Sequence, residues 1–495
     1  MGNFTRRTAL LAGGAAAGAL GMGAFAARTP SLDGTTSTVP AGPDGTLNDA
    51  SLLSETPVHK HITLTQDPGD ALVDAIRAEM AEARVEGRPV NVSAARHSMG
   101  GQALPRDGHA ITYDNGLVQA DVTTGLYRCH AGARWHQVIE TLDPLAMSPK
   151  VMQSNNDFGV AATFCVNAHG WPVPFGPMGA TVREIDLITP DGTLVTCSRE
   201  VESDLFNQTM GGYGLTGAIT AMTVEAAANT RLEPSFEEMP AEDFGTAFVR
   251  ALEDPEVSMA YGRLNVARAD FFTQALMITY RPTADQTGLP AASGSGVMSR
   301  LARHVYRAQL GNERMKRFRW WTETDLGPAV GGGEVTRNSL INEPVVTLED
   351  RDETRTDILH EYFVAPERFP EFLELCRQVI PASYQEFLNV TLRFINTDAE
   401  SWLSYATVPR IAAVMSFSQE MTTRAEADMA RMTRELTEGI IGIGGTYYLP
   451  YRPHPTVAQM TRAYPRAAEF AAAKRALDPD LLFRNNLWDS YLGQL

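Results

Sequence analysis

The chain has 495 residues, of which 44% are hydrophobic and 20% charged, an ordinary globular composition. That length exceeds one simple core, so two large lobes or domains are expected. A formal charge of −17 argues against nucleic acid held by a general basic field. Cys129, Cys165, Cys197 and Cys376 are dispersed with no CxxC pair, which argues against a metal site and against a disulfide-stapled scaffold.

The N-terminal stretch TRRTALLAGGAAAGALGMGAFA opens on Arg6-Arg7 and runs through Ala, Gly and Leu to a small-residue site at Ala24-Phe25-Ala26. The run is short, rich in glycine and ends at a processing-like motif. It reads as a twin-arginine export signal over 1–27 rather than a retained anchor, so a periplasmic or secreted location is expected. Residues 28–57 are rich in Pro, Gly, Ser and Thr and read as a linker.

From His59 the pattern becomes regular. HITLTQ alternates as a strand, and Asp67-Pro68-Gly69-Asp70 announces a helix. Leu72, Ile76 and Met80 recur at helical spacing until Gly87. PVNVSA, HAITYD and LYRCHA read as strands, and ARWHQVIETL as an amphipathic helix. In VREIDLITPDGTLVTCS, Pro190-Asp191-Gly192 between two alternating runs is a hairpin signal. After Ala227 longer helical stretches and separate strands follow. ILHEYFVAP, FLNVTLRFIN and IAAVMSFSQ are strands of a second sheet, interleaved with helices such as ERFPEFLELCRQVI. The expected class is α+β. One segment, 298–321, carries seven basic residues and ends in Trp320-Trp321. It reads as a solvated basic helix face, with a weak contact to an anionic membrane surface as the alternative.

Three motifs carry the chemistry. In the first, Ala95-Arg96-His97-Ser98-Met99-Gly100-Gly101-Gln102, a histidine stands beside two glycines in a loop that follows a strand. Consecutive backbone N–H groups there make a nest for an anion such as a pyrophosphate, and Gly100 and Gly101 allow the turns. The stretch resembles the FAD-binding loop of the vanillyl-alcohol oxidase / p-cresol methylhydroxylase family, most of all the His-Ser-x-x-Gly-Gln loop of cytokinin dehydrogenases and the Gly-His-Ser loop of aldonolactone and alditol oxidases. The resemblance implies an FAD cofactor joined covalently through His97. It departs from the relatives at Ala95-Arg96, where Gly-x-Gly is common.

The second motif, NNDFGVAATFCVNAHGWPVPFG, is similar to the family's next FAD segment and places Asn167, His169 and Gly170 beside the isoalloxazine. No cysteine lies near Met152 to Ser154, so one covalent link at most is expected. The third motif, MGGYGLTGAITAMTVEA, is similar to the family's glycine run packed on FAD, and Gly211, Gly212, Gly214, Gly217 and Ile219 fit it. A Rossmann reading fails because the preceding SREVESDLFNQTM reads as a helix, not a strand.

The second lobe matches more loosely. VTLRFINTDAESWLSYA resembles a strand with a substrate-side arginine, here Arg393, with Thr391 where alditol oxidases have a glutamate. VMSFSQ presents Ser416 and Ser418 to one side by strand alternation. In the closing segment Tyr451 stands where relatives carry a lysine, with Arg452 next to it. Tyr451 reads either as a group that assists proton removal, its pKa lowered by a neighbouring cation, Arg393 or Arg452, or as an aromatic wall of the pocket. His169 and His360 are further candidates, as catalytic group and substrate contact.

The resemblance therefore implies a two-lobe architecture: a p-cresol methylhydroxylase-type FAD-binding domain at 58–228, a substrate or cap domain of antiparallel sheet and helices at 229–445, and a segment returning to the FAD domain at 446–495. The implied function is oxidation of a CH–OH donor, a sugar, polyol or lactone, by hydride transfer to flavin N5, with oxygen or a respiratory carrier as acceptor. Oxidation of a CH–NH or benzylic CH donor is the alternative, for which no acidic base can be placed. A lipid-linked sugar substrate and a non-enzymatic flavin-binding protein stand behind it.

Overall fold

The protein is described from a computed structural model, over residues 43–293, 304–330, 333–343, 352 and 354–495. The signal reading at 1–27, the linker up to 42 and the start of the basic segment, 298–303, lie outside the described residues.

The first part of the chain makes three small pieces of sheet. β1 (Thr46–Leu47) pairs with β2 (Thr56–Pro57). β3 (Lys60–Leu64), β4 (Val90–Ser93) and β5 (His109–Tyr113) form a parallel sheet in the order β3-β5-β4. The helix Asp70–Glu86 crosses from β3 to β4 and buries Leu72, Val73, Ile76, Met80 and Ala83, the face that the sequence spacing marks. β6 (Val118–Asp121), β7 (Leu126–His130), β8 (Met147–Pro149), β9 (Val182–Ile188), β10 (Leu194–Ser198) and β11 (Ala218–Ala228) make an antiparallel sheet in the order β10-β9-β11-β7-β6, with β8 on the end of β11. The Pro-Asp-Gly turn joins β9 to β10 as the alternation predicts, with Leu194 opposite Ile188. The glycine run follows the helix Ser203–Thr209 and feeds β11.

The second part is one antiparallel sheet. β12 (Arg231–Pro240), β13 (Met259–Leu264), β14 (Gln274–Pro282), β15 (Val335–Thr336), β16 (Arg355–Val364), β17 (Glu386–Ile395), β18 (Arg410–Glu420) and β19 (Thr446–Tyr447) lie in the order β15-β12-β14-β13-β17-β18-β16-β19. Helices Phe244–Ala251, Phe369–Val379 and Thr423–Gly442 cover one face through Phe244, Phe248, Phe369, Phe372, Met432 and Leu436. β12 escapes sequence pattern reading because its side chains alternate between exposed and half-buried, with little apolar signal.

Buried apolar side chains gather into two large clusters, one mainly from residues 64–232 and one mainly from residues 241–492. The closing segment returns to the first: Val90 N–H donates to Leu482 O at 2.6 Å, and Phe483 bridges Val90 in parallel register. The molecule is thus a mixed helix and sheet protein.

Candidate active site

A cleft opens between the loops of the first part and the sheet face of β16–β18 that the helices leave uncovered.

The loop after β4 supplies one wall. Ala95, Arg96, His97, Ser98 and Gln102 line the cleft, whereas Met99, Gly100 and Gly101 do not. Those three face the closing segment. Met99 N–H donates to Pro450 O at 2.7 Å. A Cβ on Gly100 would stand 2.5 Å from Tyr451 O, and one on Gly101, whose φ is +73°, 2.2 Å from Asn486 Nδ2. The sequence reading gives both glycines to a ligand's close approach; here it is the chain's own tail that approaches. Gln102 clamps the same segment, its Nε2 donating to Leu449 O at 2.6 Å.

His97 is half-buried with its ring 4.3 Å from that of Phe158, and Nε2 is enclosed with no partner among the described residues. Burial pushes its pKa down to about 4, with Asp157 pulling weakly the other way. At neutral pH the imidazole is uncharged, the form that acts as a nucleophile. Next to it Arg96 sits in the left-handed region, φ +52°, with Nε unpartnered.

The second and third motifs converge below this loop. Gln153, Ser154, His169, Tyr213, Gly214, Gly217 and Ile219 line the cleft. Asn167, Gly170, Gly211 and Gly212 do not; they shape the turns behind it. Asn167 Oδ1 accepts from Gly179 N–H at 2.9 Å and Nδ2 donates to Asp398 at 3.0 Å, while a Cβ on Gly170 would collide with Met152 O.

At the far end four polar side chains meet. His169 Nε2 is hydrogen-bonded to the Glu361 carboxylate, and both residues are 3% exposed. The Tyr451 hydroxyl donates to Glu361 Oε2 at 3.2 Å. Arg393 donates to His169 O at 3.2 Å and to Ser154 Oγ at 3.0 Å, leaving Nε unpartnered. Burial pushes the His169 pKa down, opposed by Glu361. Burial and then Glu361 push Tyr451 well up, outweighing the downward pull of Arg393. This corrects the expectation of an activated phenol: Tyr451 stays protonated and serves as a donor. Arg393 is pushed down by burial but supported by Glu361, and a guanidinium starting so high stays cationic.

Glu361 is the residue the sequence reading missed, by one position. Successive side chains on a strand face opposite ways, so Glu361 and Leu359 face the cleft while His360 faces the helix Thr423–Gly442. There its Nε2 lies 3.3 Å from Thr433 Oγ1. The usable signal was a charged residue in the apolar run ILHEYFV, since acidic side chains are almost never fully buried unless paired.

The other substrate-side expectations are placed elsewhere. Thr391 accepts a hydrogen bond from Arg263. Ser416 Oγ accepts from the Tyr306 hydroxyl at 2.7 Å, and Ser418 Oγ from Arg355 Nε at 2.8 Å. Arg452 pairs with Glu426 at 2.6 Å and donates to Ser54 at 2.9 Å. None of these, and not His360, lines the cleft; each has a hydrogen-bond partner within the fold. In the basic segment, Lys316 pairs with Glu313 and Arg319 with Glu323, while Arg314, Arg317, Phe318 and Trp321 are exposed.

Arg96, His97, His169 and Arg393 line the cleft and each keeps a buried nitrogen without a partner among the described residues, which fits a large anionic cofactor with polar ring edges. Comparison with known proteins agrees. A family model described as an FAD binding domain matches residues 71–198. Cytokinin dehydrogenase 1 of Oryza sativa subsp. japonica is 32% identical over 166 residues, 32% of this chain and 30% of that protein. Alditol oxidase of a Streptomyces species is 30% identical over 147 residues, 29% of this chain and 34% of that protein. A Neurospora crassa protein described as a D-arabinono-1,4-lactone oxidase is 29% identical over 112 residues, 23% of this chain and 20% of that protein. The chain thus covers between a fifth and about a third of the length of these relatives. It carries an FAD-binding domain of the p-cresol methylhydroxylase type, with FAD as its cofactor.

Proposed function

We propose that the protein is an exported oxidoreductase that converts a CH–OH donor to the carbonyl, with oxygen or a respiratory carrier taking the electrons onward. The single observation behind this reading is the convergence of Arg393, Glu361, His169 and Tyr451 at one end of the cleft. FAD, when bound, supplies the acceptor for a hydride. The protein's own part is to hold the donor hydroxyl and take its proton. Arg393 faces the cleft with Nε unpartnered and stabilises the developing oxyanion. Glu361 receives the hydroxyl proton; each carboxylate oxygen keeps a lone pair beyond the bonds to His169 and Tyr451. Those two donors fix the carboxylate's orientation, and burial keeps water from competing with the donor.

His97, neutral and unpartnered at Nε2, is the proposed point of covalent attachment. Arg6 and Arg7 support export: replacing both by Lys should hold the precursor in the cytoplasm, as seen by fractionation. A weak contact with anionic lipid through Arg314, Arg317, Phe318 and Trp321 is tested by vesicle flotation. The function itself is tested by a donor screen that follows flavin bleaching without oxygen. Oxidation of a CH–NH donor is the second reading. It gains support from Glu361, the acidic base that such chemistry needs, and from the likeness to cytokinin dehydrogenase.

A further inference from the structure

On the sheet face of the cleft, the polar side chains Glu361 and Arg393 are flanked by an apolar strip. Val414 pairs directly with Glu361 in the register of β16 with β18, and Leu359 stands two residues before Glu361 on β16. Both are half-buried and line the cleft on the same sheet face as the carboxylate. Pro450 extends this apolar wall. The hydroxyls that a polyol would need nearby are already committed. Thr391, opposite Val414, is held by Arg263. Ser416, opposite Leu359, is held by Tyr306. Tyr448 gives its hydroxyl to Val166 O at 2.8 Å. A sugar alcohol that places one hydroxyl at Arg393 and Glu361 and lies along this strip presses the rest against hydrocarbon. Each hydroxyl stripped of water without a partner weakens binding by about tenfold.

We infer that the donor carries one oxidisable hydroxyl on an apolar flank, alkyl or aryl, and that Leu359 and Val414 select it. The inference rests on the CH–OH reading and narrows it. The test uses purified holoenzyme without oxygen and measures flavin reduction by 1-butanol through 1-octanol, benzyl alcohol, xylitol, sorbitol and the matching primary amines. Equilibrium binding of the corresponding aldehydes, read from the flavin spectrum, gives affinities independent of turnover.

Affinity should tighten by about fourfold for each early methylene added, and the polyols should bind at least about tenfold more weakly than 1-hexanol. Val414→Thr, which keeps the shape, and Leu359→Asn should each shrink the gain per methylene while leaving flavin content unchanged. If either variant fails to fold, the homologous series on the parent still decides. Chain length without effect, or xylitol and sorbitol bound as tightly as hexanol, would overturn the inference and leave the CH–OH reading standing. Reduction by amines alone would overturn the CH–OH reading, and the same chain-length comparison among the amines would then judge the apolar flank.

Discussion

The loop Ala95–Gln102 and the sheet face of β16–β18 border the same cleft but are made of different material. The loop works through turns, glycines and a single histidine, and its shape depends on backbone that other segments grip. The sheet face works through side chains sorted by strand parity, with Leu359, Glu361 and Val414 on one side and His360 on the other. The loop is a local sequence object. The face is assembled from three strands separated by tens of residues, and a shift of one position changes which chemistry looks inward.

Substitutions that separate the two regions sharpen this contrast. Glu361→Gln should slow anaerobic flavin reduction by about 10³-fold, within the range for loss of a general base, while the protein stays yellow. Arg393→Ala should cost about 10²-fold, the scale of one lost electrostatic stabiliser, again with FAD retained. Release of FAD from either variant would mean that the sheet face also holds the cofactor, and the contrast would fail. His97→Ala should do the reverse: flavin passes into the supernatant on acid precipitation, while thermal stability changes by less than about 1 kcal/mol, because a loop residue adds little to the core.

Tyr451→Phe should slow reduction by only about three- to tenfold, the worth of one hydrogen bond to the carboxylate. Burial holds His169 below the ordinary histidine value of 6.5, so its imidazole is neutral from there upward. The reduction rate should therefore be flat between about pH 6.5 and 8 and fall only at lower pH. A step near 6.5 in stopped-flow data would show that His169 titrates normally and is less enclosed.

His360→Gln should leave the reduction rate unchanged and alter acid stability instead. Burial pushes the His360 pKa down to about 3 from 6.5. The folded state thus binds fewer protons than the unfolded chain, and this contribution is complete above pH 6.5 and lost as pH falls toward 3. Between those values the variant's stability should decline less steeply, by up to about 1.4 kcal/mol per pH unit in denaturant titrations.

Legibility followed the same division. The cofactor, the helix Asp70–Glu86 and the β9–β10 hairpin could be read because each is encoded by contiguous residues: a motif, a period, a turn. A short strand match points to Arg393, which does line the cleft. Glu361 is not legible in this way, because it meets His169 from 192 residues away in sequence. The activated tyrosine failed for a related reason. Sequence shows that Arg393 and Tyr451 exist but not how much solvent they lose, and here desolvation outweighs the cation. Ser416 and Ser418 do share a side, yet Tyr306 and Arg355 cover them, and neither is near in sequence.

The grip of the closing segment on the first motif sets an order of events during synthesis. Gly101 O accepts from Asn486 N–H at 3.3 Å, and Val90 is bridged by Phe483. The loop around His97 thus lacks its outer clamp until residues 483–486 have been made and have folded back. Contacts of such sequence separation form late. A ribosome stalled anywhere before residue 480 therefore carries a nascent chain whose first motif is translated but not yet closed by the residues that grip it.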